Sequence, residues 1–324
     1  MKTLALPSTG IARSVRSRPI QIVVTPGSGN GQAMPIALAL RDALRARRYR
    51  SSLEVFPDLD RLHRWATTDG DRASLLICVG GDGTQSTAAL AAVRRSVPFL
   101  PVSCGFGNLF ASAFRHPHSA EGVLDLLARG QVVHSDVGMR NGELFLCHQS
   151  YGLIAEVQDA VESAGAAPRV RWQRWLAYYR AALRSLRDAP LTRLRVVVDG
   201  HVVAVDAALV LVANVRSYGA WLPLTPDASP VGGLFDVFVM KGATHRQVLA
   251  KLLRCHLRLP GSASGTLLCR GQRVGVSGLP ATRDQLEVGR ARLPVVVSPE
   301  TAAALERDLA QRQGHVSLAP GRVA

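Results

Sequence analysis

The sequence predicts an α/β chain in two parts: an N-terminal domain on a parallel sheet, then a C-terminal domain of mainly antiparallel strands. Three observations predict it. Between residues 20 and 130 short continuous apolar runs alternate with amphipathic stretches, the pattern of a parallel sheet covered on both faces. Beyond Gly130 strand-like runs follow one another with little helix between them. Glycine-rich turns stand where early apolar runs give way to helical periodicity.

In order, IQIVVT is a strand, AMPIALALRDALRARR a helix, SSLEVF a strand and DRLHRWATT a short helix. LLICVG, TQSTAALAAVRR and VPFLPVS continue as strand, helix and strand, and NLFASAF and AEGVLDLLARG as helices. QVVHSDVGMRNGELFLCHQSYGL reads as two strands joined at Arg140-Asn141-Gly142, because Asn-Gly favours a tight hairpin. A long helix, RVRWQRWLAYYRAALRSLRD, comes next. Strands then dominate from TRLRVVVDG to LPVVVSP, interrupted by the helix THRQVLAKLLRCHLR. The expected division is 18–136 with a return segment at 294–312 for the first domain and 137–293 for the second. Residues 1–17 and 313–324 are expected to be flexible tails, the latter after a short final helix.

At 324 residues and 47% hydrophobic content the chain can fill two cores. Lys+Arg 39 against Asp+Glu 24 gives +15, which favours anionic partners: acidic lipid, phosphorylated small molecules or nucleic acid. No helix-turn-helix, zinc or RNA-recognition pattern accompanies that charge, so nucleic acid is not expected. Five scattered cysteines without a CxxC pair read as reduced thiols, hence a cytoplasmic setting. The N-terminal apolar run is too short for a signal peptide, and no run reaches membrane-spanning length, so membrane contact would be peripheral.

The segment VGGDGT sets glycines around Asp82 at a strand-to-helix turn. Backbone N–H groups there can cradle a phosphate at the positive end of a helix. A carboxylate repels phosphate, so a metal ion or water must lie between Asp82 and nucleotide oxygens. A structural turn with Asp82 as helix cap is the alternative. Two companion loops, VVTPGSGNG and VSCGFGNLFASAF, also follow predicted parallel strands, at the edge where open α/β sheets bind ligands. Neither has GxGxxG spacing and the chain has no Walker motif.

With these segments the sequence resembles the diacylglycerol kinase-like lipid kinases, distant relatives of NAD kinases. VGGDGT, VPFLPVSCGFGNLFASAF, DVGMRNGELFLCHQSYGLIAEV, LVLVANVRSYG and GGLFDVFVM carry the resemblance in order. It implies an active site in the cleft between the two domains, with ATP held by the glycine loops and a lipid hydroxyl attacking the γ-phosphate. Gly81, Asp82, Gly83 and Thr84 are then implied in ATP and Mg²⁺ binding, with Asp82 catalytic. Ser28 and Gly29 match the first loop, and Gly105 and Asn108 the third. Thr25 stands where the family has asparagine, and Phe106 where it has threonine. Asp284 falls at the family's proposed general base, although Gln285 and Leu286 replace the Gly-Glu that follows. Of the D-G-x-x-D that holds a structural Mg²⁺, Gly232 replaces the first carboxylate and Asp236 is the retained metal-binding residue.

The implied function is transfer of the γ-phosphate of Mg-ATP to a diacylglycerol-like alcohol. Two other readings stay open: a catalytically impaired nucleotide- or lipid-binding homologue, and a kinase acting on a soluble hydroxyl metabolite. Trp172, Trp175 and Tyr179, interleaved with arginines on the long helix, suit either an anionic membrane surface or packing on the second domain. The sequence leaves a homodimer open. His116 and His118 read as a surface loop rather than a metal pair, Cys104 as a thiol within a ligand loop, and Ser103 and Ser150 lack a hydrolase setting.

Overall fold

The computed structural model describes residues 18–68, 70, 73–105, 107–153, 155, 193–216, 224–242, 244–256, 266–278, 282–289 and 291–315. The Trp- and Tyr-bearing helix expected at 169–188, and Phe106, lie outside them.

Strands β1 (Ile20–Val24), β2 (Ser51–Val55), β3 (Leu75–Gly80) and β4 (Phe99–Ser103) alternate with helices α1 (Ala33–Ala46), α2 (Leu59–Thr67) and α3 (Asp82–Arg95). A short α4 (Leu109–Ala113), α5 (Ala120–Arg129) and β5 (Gln131–Ser135) follow. Asp58 caps α2 by accepting from Arg61 N, and Ser119 caps α5 by accepting from Gly122 N. The first sheet runs β2-β1-β3-β4-β15-β5, where β15 (Leu293–Val297) arrives from the far end of the chain. All its pairings are parallel except β15 with β5.

Period-two alternation divides each central strand between two cores. Ile22, Val24, Leu75, Ile77 and Val79 face the Ala33, Ala37, Leu40, Leu44 stripe of α1 and the apolar face of α5. Val23, Leu76 and Cys78 face α2, α3 and the final helix, α7 (Pro299–His315). Val137, Leu146, Cys147 and Val215, from the strand-rich half, join this second core, so one hydrophobic cluster spans both sheets.

The strand-rich half forms one antiparallel sheet in the order β12-β11-β10-β9-β13-β14-β6-β7, with β8 also on β10. Its members are β6 (Gly138–Arg140), β7 (Glu143–Phe145), β8 (His148–Gly152), β9 (Leu194–Val198), β10 (His201–Ala213), β11 (Phe235–Lys241), β12 (Thr266–Gly271), β13 (Arg273–Gly278) and β14 (Thr282–Val288); α6 (His245–His256) is its helix. The hairpin at Arg140-Asn141-Gly142 forms with Asn141 at φ 49° and Gly142 at φ 90°, the left-handed pair that a tight two-residue turn requires.

Two sequence expectations change. The stretch 131–153 makes four strands rather than two, because the chain leaves the first sheet at Asp136 and turns again before pairing with β10. The last helix is longer than expected and runs through His315, past the tail boundary at 313.

Ile77 is fully buried in a central strand, whereas Val55 on the edge strand is 45% exposed. Ile77→Ala should therefore cost about 2–5 kcal/mol in urea unfolding, and Val55→Ala no more than about 0.5 kcal/mol.

Candidate active site

Because β1, β3 and β4 are parallel neighbours, the three glycine loops emerge side by side at their carboxyl ends. They touch one another. A Cβ on Gly29, whose φ is +62°, would lie 2.1 Å from the carbonyl oxygen of Cys104, so the first loop can meet the third only without a side chain. Gly105 packs against Gly81, with the space for its Cβ ending 2.8 Å from Gly81 Cα. Ser28 Oγ and Thr84 Oγ1 are 3.0 Å apart and join the first loop to the second.

Gln85, fully buried on α3, completes the frame. Its Nε2 donates to Gly80 O at 2.9 Å and to Ser103 Oγ at 3.0 Å, fixing the ends of β3 and β4 relative to α3. Sequence reasoning missed this residue. A polar side chain inside an otherwise small, apolar helical stripe was the available signal.

Asp82 opens α3 and turns its carboxylate into this frame. Phe110 N donates to Oδ1 at 3.3 Å, and the thiol of Cys147 lies 3.7 Å from the same oxygen. Oδ2 faces Gly107, where a Cβ would come within 2.8 Å. Burial pushes the Asp82 carboxyl above its ordinary value, and the N–H groups of Leu109, Phe110 and Asn108, with the Cys147 thiol, oppose that rise. Burial first, and Asp82 beside it, push the Cys147 thiol far up, so it stays protonated and can donate. Cys147 was not expected at the site, since its approach comes from the second sheet.

Two buried polar atoms in the loops have no hydrogen-bond partner among the described residues: Thr25 Oγ1 and Asn108 Oδ1. Leaving such groups unpaired costs about 1–3 kcal/mol each, which a ligand with matching donors and acceptors would recover. Asn108 holds φ 50° to end the third loop. Beyond Gly107 lies a cavity of about 590 Å³ between α4, α7 and the 228–230 turn, with Arg115, Arg216 and Arg307 on its walls.

Asp284 sits apart from the loops, on β14, with a side chain 13% exposed. Asn141 Nδ2 donates to its Oδ1 at 2.7 Å and Arg140 Nε approaches Oδ2 at 3.3 Å. Arg140 also donates to Gln149 Oε1 at 2.8 Å. Burial and the neighbouring Asp284 carboxylate hold the Tyr151 hydroxyl well above its ordinary range, so it remains a donor. The β6–β7 hairpin links the two carboxylates: its tip binds Asp284, and Cys147 just past its open end touches Asp82.

Asp236, the expected metal-binding residue, is buried on β11 with its Oδ1 2.6 Å from Arg270 Nε. Among the described residues no group of three or more His, Cys, Asp or Glu is placed to hold a metal ion.

A parallel sheet with touching glycine loops at its carboxyl edge, backed by an antiparallel sheet that reaches back to the loop carboxylate, is an arrangement able to receive a phosphorylated ligand. Residues 19–140 match the diacylglycerol kinase catalytic domain, and residues 150–289 the YegS C-terminal NAD kinase beta sandwich-like domain. A diacylglycerol kinase of Mycobacterium tuberculosis (strain H37Rv) is 25% identical over 246 residues, 75% of this chain and 79% of that protein. The diacylglycerol kinase of Bacillus subtilis (strain 168) is 30% identical over 187 residues, 56% of this chain and 58% of its own length. The fold is shared with a diacylglycerol kinase from Bacillus anthracis (strain Sterne) at a TM-score of 0.65 and 18% identity, covering 87% of this chain and 98% of that one. The chain belongs to the diacylglycerol kinase-like family of lipid kinases.

A carboxyl whose pKa rises on folding stabilises the fold while protonated, and that contribution is lost as pH increases through the folded pKa. Asp82→Asn removes the loss and keeps an acceptor for Phe110 N. The variant should melt at or above the wild type at neutral pH while losing phosphotransferase activity, as scanning calorimetry and product assay would read. Asn108→Ala relieves an unpartnered buried acceptor but sets alanine at φ 50°, and because these effects oppose each other it should leave melting nearly unchanged while raising the KM for nucleotide by about tenfold.

Proposed function

We propose that this kinase transfers the γ-phosphoryl group of Mg-ATP to a hydroxyl of a diacylglycerol-like lipid. The convergence of three glycine loops on Asp82, beside the unpartnered Thr25 Oγ1 and Asn108 Oδ1, is the observation that carries the reading. The names of the relatives support the choice of acceptor.

In this reading the loop N–H groups and the Ser28 and Thr84 hydroxyls hold the polyphosphate, with Gly81 and Gly83 beside it and Gly29 and Gly105 letting the loops close into one cradle. Asp82, whose Oδ2 lies against Gly107 with no Cβ in the way, would hold the magnesium that accompanies the nucleotide. That ion supplies charge neutralisation on the phosphate oxygens. The acceptor oxygen forms its bond to the γ-phosphorus as the bond to the ADP oxygen breaks. The hydroxyl proton passes to Asp284, which Arg140 and Asn141 hold in one orientation. Positioning and charge do most of the work in such a transfer, and the base contributes about 10²–10⁴-fold.

No helix among the described residues is long and apolar enough to cross a membrane, and the net charge of +15 suits contact with an anionic bilayer from which a lipid alcohol is collected.

Labelled ATP and Mg²⁺ with vesicles containing diacylglycerol, and in parallel with soluble polyols, test the acceptor. Label should enter the vesicle lipid; label only in a soluble alcohol would replace the lipid reading with the metabolite one, and ATP binding without any product would sink both. Asp284→Asn should lower kcat by about 10²–10⁴-fold with little change in the KM for ATP.

A further inference from the structure

The family resemblance implies a structural Mg²⁺ between two carboxylates, and residues 232 and 236 do not fit it. Gly232 supplies no ligand, although its position is open: a Cβ there would meet nothing closer than Ser229 O at 3.5 Å. The missing carboxylate is therefore not excluded by crowding. The remaining one, Asp236, is 1% exposed and stands directly across the β11–β12 ladder from Arg270. Arg270 Nε lies 2.6 Å from Asp236 Oδ1, and its Nη2 lies 3.6 Å from Asp227 Oδ2, at the other end of the same turn. A divalent ion beside Asp236 would meet a permanent positive charge at contact distance.

We infer that Arg270 replaces the structural cation, making the 225–236 turn independent of divalent metal. The buried charge is balanced: Asp236 and Arg270 sum to zero, as two carboxylates with one divalent ion do, and the remaining charge of Asp227 is 64% exposed and solvated. The guanidinium also reproduces the cross-linking, since its fork reaches from β11 to Asp227, as a multi-oxygen cation would. The turn it secures carries Ala228, Ser229 and Pro230 into the wall of the cavity beside the third glycine loop. Arg270 is thus a positioning residue for that wall. The inference does not depend on the proposed acceptor or on Asp284 as base, and it leaves the metal that travels with the nucleotide untouched.

The test uses the full chain without nucleotide. Its melting midpoint should be the same in excess EDTA and in millimolar MgCl₂. Mn²⁺ titration followed by electron paramagnetic resonance should detect no site that Asp236→Asn abolishes. Arg270→Gln should lower the midpoint by leaving Asp236 buried opposite a neutral group, and Asp236→Asn in that background should restore most of the loss. A midpoint that falls in EDTA, or a Mn²⁺ site lost in Asp236→Asn, would overturn the inference. So would an Arg270→Gln midpoint equal to wild type, or a loss that the double variant does not relieve. If Arg270→Gln does not fold, the EDTA and Mn²⁺ measurements on the wild type and on Asp236→Asn decide it alone.

Discussion

Asp82 can remain a carboxylate in a largely buried position only because the backbone beneath it is arranged to receive it. Burial disfavours its charge, and the N–H groups of residues 108–110 counter that cost. Those N–H groups reach it because the third loop folds tightly over Gly81, and the loop can do so because Gly29 lets the first loop close against the Cys104 carbonyl. Gln85 holds the strand ends at the spacing this contact needs. The glycines therefore serve two demands at once: they let the loops meet, and they leave the edge open to a ligand. Cys147 adds a contact from the second sheet, so the state of Asp82 depends on how that sheet sits against the first.

Arginine has a structural task in this chain as well as a surface one. Three largely buried carboxylates outside the glycine loops each face a guanidinium: Asp136 with Arg292, Asp236 with Arg270 and Asp284 with Arg140. A guanidinium keeps its charge at any physiological pH and presents several donors in a plane, so it satisfies a buried carboxylate that a flexible, strongly hydrated lysine would satisfy less well. Breaking such a pair by removing one partner leaves an uncompensated charge, which is far more costly than replacing both. Each such pair is neutral, so it withdraws one positive and one negative group together and leaves the +15 excess on the remaining side chains.

The first sheet was legible because its strands are continuous apolar runs and its turns are marked by glycine, both short-range signals. The Asn141-Gly142 hairpin was legible for the same reason, since its left-handed backbone is written in the residue types. Gln85 and Cys147 were not, because each acts on a group that only the tertiary fold brings near. The contact between Asp236 and Arg270 was not legible either: Arg270 lies far along the sequence, and its opposition to Asp236 follows from the register of β11 on β12. The break of 131–153 into four strands depends on which sheet each segment joins, and local alternation carries no information about that.

The chain passes between its two sheets at Asp136–Val137 and returns ahead of β15, and these crossings run side by side. Gly289 N donates to Val137 O at 2.8 Å, while Arg292 meets Asp136 at 3.1 Å. The other carboxylate oxygen of Asp136 accepts from Gly233 N, and Asn214 Nδ2 donates to the Asp136 carbonyl at 3.1 Å. One buried residue therefore binds both crossings, the turn that walls the cavity and the end of β10. Rotation of one sheet against the other has to shear this knot of hydrogen bonds and its one ion pair, centred on the buried Asp136. Because Cys147 touches Asp82 close by, the same knot fixes how deeply the second sheet presses on the loop carboxylate. The geometry of the glycine loops and the relative placement of the two sheets are in this way a single constraint, set by Asp136 as much as by the glycines.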